Sequence, residues 1–428
     1  MDLISRAGLC AKLESAAAPA ADDAPTVRPR RPVRRHALPP AILIGGEANA
    51  LSVARQLSSH GVLVYALGPS DTCIRYSRHC RWISLNLDDG VEEGIGRFLL
   101  GPDARELEGS VLLACSDAGL QVLARHREQL LDRYLLDSFN PAAQRAMLDK
   151  LTTYEAARAA GVATPRFWSA AAMEQLEALR DELVFPLIVK PRLSHVFERQ
   201  FGRKFIIASN FDEVVRALEG VTAAGINTLL VEWIPGGDGE LASYFTYLDE
   251  ASLPLLHFTK RVIRRYPVGM GSGSYHITDW VPEIIEPSLR LIREVKLLGL
   301  ANIEFKRDPR DGQYKLMECN ARFAASDPLV AASGMMLGWM IYNRVIGRPH
   351  EVPRAFRTGM RMWDPVRDFR AYLQLRRRGE LTLGAWLRSV AHRQMLPFFR
   401  WSDPGPTLSR GLKPLGCLLG RRTKSSGG

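Results

Sequence analysis

The chain has 428 residues, which is too long for one ordinary hydrophobic core and predicts two to four domains. Hydrophobic residues make up 46% and charged residues 24%, as in soluble globular proteins, and no apolar run approaches the roughly 18–20 residues that span a bilayer. The net charge is +11, but residues 350–428 carry 16 Lys/Arg against 5 Asp/Glu, whereas residues 41–349 carry 34 against 37. The basicity therefore belongs to the tails, which argues against a nucleic-acid-binding role for the whole chain.

The spacing of the cysteines and the composition of the N-terminus indicate the cellular compartment of the protein. The six cysteines have no zinc-ligand spacing and are Cys10, Cys73, Cys80, Cys115, Cys319 and Cys417. Residues 1–24 lack the long apolar core of a secretory signal. We therefore predict free thiols in a cytoplasmic protein.

Residues 1–40 are predicted to form a disordered tail, because proline and like charge occur together there. Residues 41–145 are predicted to form a Rossmann-like α/β domain. The apolar run Ala41-Ile-Leu-Ile-Gly-Gly46 leads into helical spacing, and Val62-Leu-Val-Tyr-Ala-Leu67 is the next strand. This β-α-β order is typical of a parallel, doubly wound sheet. The full G-x-G-x-x-G signature of dinucleotide binding is absent.

Further along the chain are two lysines whose positive charge a phosphate group could neutralise. Lys150 lies in a predicted helical pair, and Lys190 ends the buried strand Leu187-Ile-Val-Lys-Pro191. Lysine is rarely buried unpaired. Taken singly, each fits a surface lysine better than a phosphate ligand.

A basic run precedes the glycine-rich segment 269–273. It contains Lys260-Arg261 and Arg264-Arg265, which could hold a phosphate or an acidic substrate. A plain charge run is usually a solvated face, so the residues alone leave both interpretations open.

A β-hairpin is predicted around the turn signal Asp308-Pro-Arg-Asp-Gly312. If residues of even number pair with each other, the side chains of Glu304, Glu318, Asn320 and Arg322 share one face. Two carboxylates and an amide oxygen suit Mg²⁺. A half-exposed hairpin whose polar side chains face water is the alternative.

Residues 348–428 are predicted to form a basic helical extension followed by a loose tail. Residues 367–378 and 381–390 have the spacing of basic amphipathic helices. We expect them to pack on the body, and peripheral membrane contact is the alternative.

The order of these motifs resembles the ATP-grasp superfamily over residues 41–347. Within it, the chain is most similar to bacterial carboxylate–amine ligases, the group that includes D-aspartate ligase. The motifs that carry the resemblance are Asp149-Lys150, Ile188-Val-Lys-Pro191, Val231-Glu-Trp-Ile-Pro-Gly236, Asn302-Ile-Glu304 and Met317-Glu-Cys-Asn-Ala-Arg322.

The resemblance implies an ATP-grasp domain at residues 146–347, with a lid at about 165–235 and a C-terminal metal-binding sheet. It implies that ATP lies between the lid and that sheet, under a loop at residues 194–203. The implied nucleotide contacts are Lys150, Lys190, Glu232, Trp233, Ile234 and Glu240. The implied ligands of Mg²⁺, or of Mn²⁺ in its place, are Glu304, Glu318 and Asn320. The implied substrate-side residues are Arg322, Lys260 and Arg261.

The implied activity is ligation of a small-molecule carboxylate to an amine. ATP would convert the carboxylate to an acyl phosphate, and the amine would displace phosphate to form an amide. Three alternatives keep parts of this prediction: a thiol acceptor, plain phosphoryl transfer, or a non-catalytic nucleotide-binding protein at a membrane surface. The sequence names neither the acid nor the amine.

Overall fold

The computed structural model describes residues 38–169, 173–192 and 205–410. The predicted disorder of residues 1–40 therefore falls almost entirely outside the described residues, and so does the predicted loose tail beyond residue 410. Within the described part of the chain, no helix combines the length and apolarity needed to cross a membrane.

The first part of the described chain is a parallel sheet built on the apolar run at Ala41. Its four strands lie in the order β3-β2-β1-β4. The strands are β1 (Ala41–Ile44), β2 (Val64–Leu67), β3 (Arg81–Ile83) and β4 (Val111–Ala114). The helices among and after them are α1 (Ala48–Ser59), α2 (Val91–Leu100), α3 (Asp117–Arg125) and α4 (Arg127–Leu131). Leu43 and Ile44 of β1 enter two different apolar clusters, so both faces of the sheet are covered, as predicted.

The strand order of this sheet reverses at β1, which has β2 on one side and β4 on the other. Ligands of doubly wound sheets bind at the carboxyl ends of the strands beside such a reversal. Gly45 follows β1 there with φ +70°, and a Cβ at Gly45 would lie 2.2 Å from Ser116 Oγ beyond β4. Glycine permits both the backbone conformation and the close approach, so the segments that follow β1 and β4 pack directly against each other.

The second part is an antiparallel sheet of order β5-β8-β6-β7. Two helices precede it, α5 (Pro141–Leu148) and α6 (Lys150–Ala159). Its elements are β5 (Phe167–Trp168), α7 (Met173–Ala178), β6 (Leu187–Pro191), β7 (Ile206–Ala208), α8 (Phe211–Ala223) and β8 (Thr228–Glu232). The apolar face of α8 packs on the sheet through Val214 and Leu218, beside Val189 and Leu230.

The third part is a seven-stranded sheet of order β13-β12-β9-β10-β11-β14-β15. Its strands are β9 (Leu241–Leu248), β10 (Phe258–Tyr266), β11 (Ser272–Thr278), β12 (Gly299–Arg307), β13 (Tyr314–Asn320), β14 (Arg361–Trp363) and β15 (Gln394–Met395). The accompanying helices are α9 (Ile285–Val295), α10 (Asp327–Ala332) and α11 (Leu337–Val345). Strand β10 contains the basic run from Lys260 to Arg265, and β11 begins at Ser272, inside the glycine-rich segment 269–273.

One face of this large sheet changes from apolar to polar along its strands. On β9 and β12, Tyr247 pairs with Leu300 and Ser243 pairs with Glu304, and paired side chains share a face. Tyr247 and Leu300 belong to the apolar cluster that contains Leu43 of β1, so the N-terminal sheet covers this end. The row that contains Ser243 and Glu304 lies beyond the part of the large sheet that the N-terminal sheet covers.

The C-terminal extension packs on the body, as predicted, through α12 (Pro365–Arg377) and α13 (Leu383–Val390). Asp368 of α12 is fully buried and accepts hydrogen bonds from Arg264 Nε at 2.8 Å and Nη2 at 2.9 Å. The indole N–H groups of Trp363 and Trp386 also donate to Asp368, at 3.0 and 2.9 Å. One carboxylate therefore joins both helices to β10 and β14.

The extension also reaches the N-terminal sheet. Asp403 is 1% exposed and accepts hydrogen bonds from Arg55 Nη2 at 2.9 Å and Ser77 Oγ at 2.8 Å. The backbone N–H of Arg78 donates to the same carboxylate at 3.0 Å. Burial alone would raise the pKa of Asp403, but these hydrogen bonds outweigh burial and hold the pKa below its ordinary value.

Asp368→Ala would leave the buried Arg264 guanidinium without its carboxylate. We expect the free energy of unfolding to fall by about 3–5 kcal/mol, measured by urea unfolding followed by circular dichroism. The control is the exposed pair of Arg293 and Glu286, whose side chains are 54% and 49% exposed. Glu286→Ala should cost less than about 1 kcal/mol, and equal losses in the two variants would contradict the assignment.

Candidate active site

The predicted hairpin is formed by β12 and β13, and its register brings two carboxylates together. Glu304 pairs directly with Glu318, and Asn302 pairs with Asn320. The even-to-even register is therefore confirmed. An irregularity follows Glu304, where Phe305 pairs with Leu316 and Met317 is passed over.

A polar row runs across the sheet from this pair of carboxylates. Glu318, Glu304, Ser243, Lys260 and Thr278 are paired in turn across five neighbouring strands. Lys260 is 3% exposed, and its Nζ donates to Ser243 Oγ at 3.0 Å. Burial lowers the pKa of Lys260, while the charge of Glu304 acts in the opposite direction. Lys260 is thus a buried base in the same row as the carboxylates.

Arg261 lies on the other face of β10, because successive side chains of a strand point to opposite sides. Its guanidinium is 46% exposed and pairs with Asp279 at 2.7 Å. Arg261 does not join the cluster around Glu304, which corrects its predicted place beside Lys260.

Lys190 and a tyrosine that the sequence did not single out meet the outer edge of β13. Lys190 Nζ donates to the carbonyl oxygen of Met317 at 3.4 Å, and the Tyr154 hydroxyl donates to the same oxygen at 3.0 Å. Burial and the charge of Glu318 raise the pKa of Tyr154 above its ordinary value. Lys190 of β6 is therefore held at the backbone next to Glu318, one of the paired carboxylates.

Lys150 is the first residue of α6, and its side chain is buried. The preceding Asp149 caps the helix and forms an ion pair with Arg192 at 2.6 Å, while the Lys150 backbone N–H donates to the Arg192 carbonyl at 3.3 Å. This pair ties α6 to the end of β6, so Lys150 and Lys190 are brought to the same region. Arg192 was not predicted to take part.

The segment 232–236, called the hinge here, follows β8. The Glu232 carboxylate pairs with Arg310 at 2.7 Å and accepts the Arg166 backbone N–H at 3.0 Å. The Trp233 backbone N–H donates to the Pro186 carbonyl at 3.2 Å. The resemblance implies that these groups frame adenine, but some of their hydrogen-bonding atoms already bind other residues of the protein.

Lys306 holds the hinge and was missed by the sequence analysis. It is 3% exposed, and its Nζ donates to the carbonyls of Ile234 at 2.8 Å and Gly236 at 2.9 Å. Burial and the charge of Arg265 lower its pKa to about 8. Glu240 lies close enough to oppose this shift, which places it at the same end of the sheet. A helical or strand pattern alone does not distinguish Lys306 from a surface lysine.

Arg322 follows β13 and forms an ion pair with Asp117, the first residue of α3. Burial alone would lower the pKa of Arg322, but nearby carboxylates raise it above its ordinary value. These carboxylates are Asp117, Glu318 and Glu304. Arg322 therefore joins the end of the hairpin to the start of α3, through a contact with Asp117 that the sequence did not reveal.

The predicted oxygen ligands fit a divalent cation by chemistry and placement. Asn320 Nδ2 donates to Glu318 Oε1 at 3.1 Å, which leaves its amide oxygen for a cation. In the described ranges, no group of three or more Asp, Glu, His or Cys side chains is arranged to hold a metal. Two carboxylates and an amide suit Mg²⁺ that is shared with phosphates, because Mg²⁺ keeps part of its coordination for them. The predicted loop at 194–203 lies outside the described residues.

Known proteins match parts of the chain in sequence. The family described as "Carbamoyl-phosphate synthase L chain, ATP binding domain" matches residues 276–340, which include the hairpin. D-aspartate ligase of Enterococcus faecium is 23% identical over 330 residues, covering 72% of this chain and 77% of that protein. The carbamoyl phosphate synthase large chain of Thermomicrobium roseum is 26% identical over 275 residues, covering 61% of this chain and 24% of that protein.

Solved structures share the fold. The biotin carboxylase domain of Hydrogenobacter thermophilus 2-oxoglutarate carboxylase, in complex with MgADP, ADP and bicarbonate, has a TM-score of 0.59 and 17% identity, covering 76% of this chain and 74% of that chain. N5-carboxyaminoimidazole synthetase from Staphylococcus aureus complexed with ADP has a TM-score of 0.57 and 17% identity, covering 77% of this chain and 82% of that chain. The ATP-grasp fold predicted from the sequence is confirmed, together with the resemblance to carboxylate–amine ligases.

Lys306→Met would remove both hydrogen bonds that hold the hinge to β12. We expect backbone amides of residues 233–237 to exchange with deuterium at least about tenfold faster, as followed by mass spectrometry. Lys315→Met is the matched control, because Lys315 pairs with Lys306 across the hairpin but binds Asp311 at 2.5 Å at the surface. Equal exchange in the two variants would contradict a role for Lys306 in the hinge.

Proposed function

The chain is an ATP-grasp protein, and we propose that it is an ATP- and Mg²⁺-dependent ligase that joins a carboxylate to an amine. The observation that carries the proposal is the direct pairing of Glu304 with Glu318, in one row with the buried base Lys260. Such a row offers oxygen ligands to a cation and a positive charge to phosphate oxygens. A half-exposed hairpin with polar side chains facing water would not bury Lys260 beside them.

The order of the groups along β12 and β13 supports one orientation of ATP. Lys306 and the hinge lie at one end, the pair Glu304 and Glu318 follows, and Arg322 lies at the other end. Each strand residue adds about 3.3 Å, so about 7 Å separates Lys306 from Glu304 along the strand. We place the adenine ring of ATP at the hinge, its triphosphate over the carboxylates and the second substrate at Arg322.

Glu304, Glu318 and Asn320 would hold Mg²⁺, and Mn²⁺ is the alternative ion because the same oxygen ligands suit it. When bound, the ion offsets the charge that develops on the phosphate oxygens. Lys190, beside the Met317 carbonyl, and Lys150, at the start of α6, would neutralise further phosphate charge.

The reaction proceeds in two displacements. A carboxylate oxygen of the substrate attacks the γ-phosphorus of ATP, the bond to the β–γ bridging oxygen breaks, and ADP leaves. The amine then attacks the carbonyl carbon of the acyl phosphate, loses a proton and expels inorganic phosphate. Arg322 would bind the carboxylate and then the acyl phosphate, since its planar guanidinium engages two oxygens at once.

The second substrate would enter between the N-terminal sheet and the hairpin. Asp117 and Arg322 meet at the carboxyl end of β4, next to the contact between Gly45 and Ser116. The proposed substrates are small molecules, and the name of the relative, D-aspartate ligase, supports an amino acid as one of them, which could serve as the carboxylate or as the amine.

ADP release with Mg-ATP, measured against panels of carboxylates and amines, tests the ligase activity. We expect release to require one member of each panel, and ¹⁸O from a labelled carboxylate to appear in the phosphate product. Glu318→Gln should lower the rate at least about 100-fold.

Glu294→Gln is the matched control, because Glu294 is exposed on α9 and should leave the rate unchanged. Release that needs only one partner, or full activity in Glu318→Gln, would overturn the proposal.

A further inference from the structure

Helix α13 is apolar but has no buried residue. Its sequence, Leu383-Gly-Ala-Trp-Leu-Arg-Ser-Val390, contains five apolar residues besides glycine. Leu383 is 48% exposed and Leu387 is 51% exposed, and they lie one turn apart on the same side of the helix. Exposed leucines at this spacing form a surface and not isolated contacts with water.

Helix α12 extends this apolar surface. Val366 and Phe369 are 63% and 46% exposed and lie three residues apart on α12. The Phe369 ring packs edge-on against Trp386 of α13, with centroids 5.8 Å apart, so the two helices form one surface. We call Val366, Phe369, Leu383 and Leu387 the docking face.

Exposed arginines accompany the docking face with almost no opposing charge. The exposed arginines of residues 365–400 are Arg370, Arg376, Arg377, Arg378, Arg388, Arg393 and Arg400. Glu380 is the exposed acid in the same range, where the other acid, Asp368, is buried by its partners. An apolar face on helices that carry a strong excess of exposed arginines is complementary to a layer of acyl chains below anionic headgroups.

We propose that the docking face binds the surface of an anionic lipid bilayer. The aliphatic side chains would enter the boundary between headgroups and acyl chains, and the arginines would contact lipid phosphates. The proposal concerns the extension and goes beyond the ligase activity, on which it does not depend.

A nucleic acid fits this face less well. Single-stranded nucleic acids bind on stacked aromatic platforms, whereas three of the four docking-face residues are aliphatic. Aliphatic side chains gain nothing from a phosphate backbone but gain free energy on leaving water for an acyl layer.

The docking face is presented by the folded body and not by a free tail. Asp368, on the buried side of α12, pairs with Arg264 of β10, the strand that also carries Lys260. Contact of the face with a bilayer would therefore fix the large sheet at the membrane surface.

Co-sedimentation of the full chain with vesicles tests the proposal. We expect binding to vesicles of phosphatidylglycerol and phosphatidylcholine, no binding to phosphatidylcholine alone, and loss of binding as salt rises. Leu383→Gln/Leu387→Gln should weaken the partition at least about tenfold. Arg377→Gln/Arg378→Gln/Arg388→Gln should weaken it by about fivefold for each arginine.

Matched controls separate the docking face from general stickiness and charge. Leu63→Gln/Leu253→Gln replaces exposed leucines elsewhere, and Arg105→Gln/Arg145→Gln/Arg216→Gln replaces exposed arginines elsewhere. Both controls should bind vesicles like the wild-type chain.

Three results would overturn the proposal. One is no binding to anionic vesicles at low salt, and another is equal binding by the docking-face and control variants. The third is binding of duplex or single-stranded DNA without binding of vesicles.

Discussion

The direct pairing of Glu304 with Glu318 is the constraint on which the site depends. Like charges placed opposite each other on neighbouring strands repel, so these carboxylates do not hold the register. The other face of the hairpin does, because Ile303 pairs with Cys319 and Phe305 with Leu316, and all four are buried. A one-residue slip would exchange the two sets and place the carboxylates in the core. Apolar burial thus supplies the free energy that keeps the two carboxylates together.

Each positive group of the site also has a hydrogen-bond or ion-pair partner within the protein. Lys306 binds hinge carbonyls and Lys260 binds a serine hydroxyl, so each buried ammonium keeps a hydrogen bond when no phosphate is present. Arg322 pairs with Asp117 of the N-terminal sheet. The buried Asp368 and Asp403 bring the C-terminal extension against both sheets, so residues far apart in the chain keep the site in one folded body.

The sequence predicted those features that depend on local periodicity and order. Alternation placed Glu304, Glu318 and Asn320 on one face, and the structure buries Cys319 on the other, where burial raises the pKa of its thiol to about 12. The sequence analysis placed Arg261 with Lys260, because consecutive basic residues do not reveal which side chain lies on which face of β10. The sequence analysis missed four residues that act through a tertiary contact with another part of the chain, because no local pattern encodes such a contact. These residues are Tyr154, Arg192, Asp117 and Lys306. The assignment of single roles to the site residues stays a prediction.

Thermal unfolding of the wild-type chain and of Glu304→Gln/Glu318→Gln, with and without Mg-ATP, tests most directly whether the paired carboxylates exist for a cation. Without ligand, the double variant loses the repulsion between the two carboxylates but also their attraction for Arg322 and Lys260, so the gain in stability on adding Mg-ATP is the quantity that tests the site. With Mg-ATP at about a hundred times its Kd, the wild type should gain about 2.7 kcal/mol and the variant almost nothing. A variant that gains as much from Mg-ATP as the wild type would contradict the account.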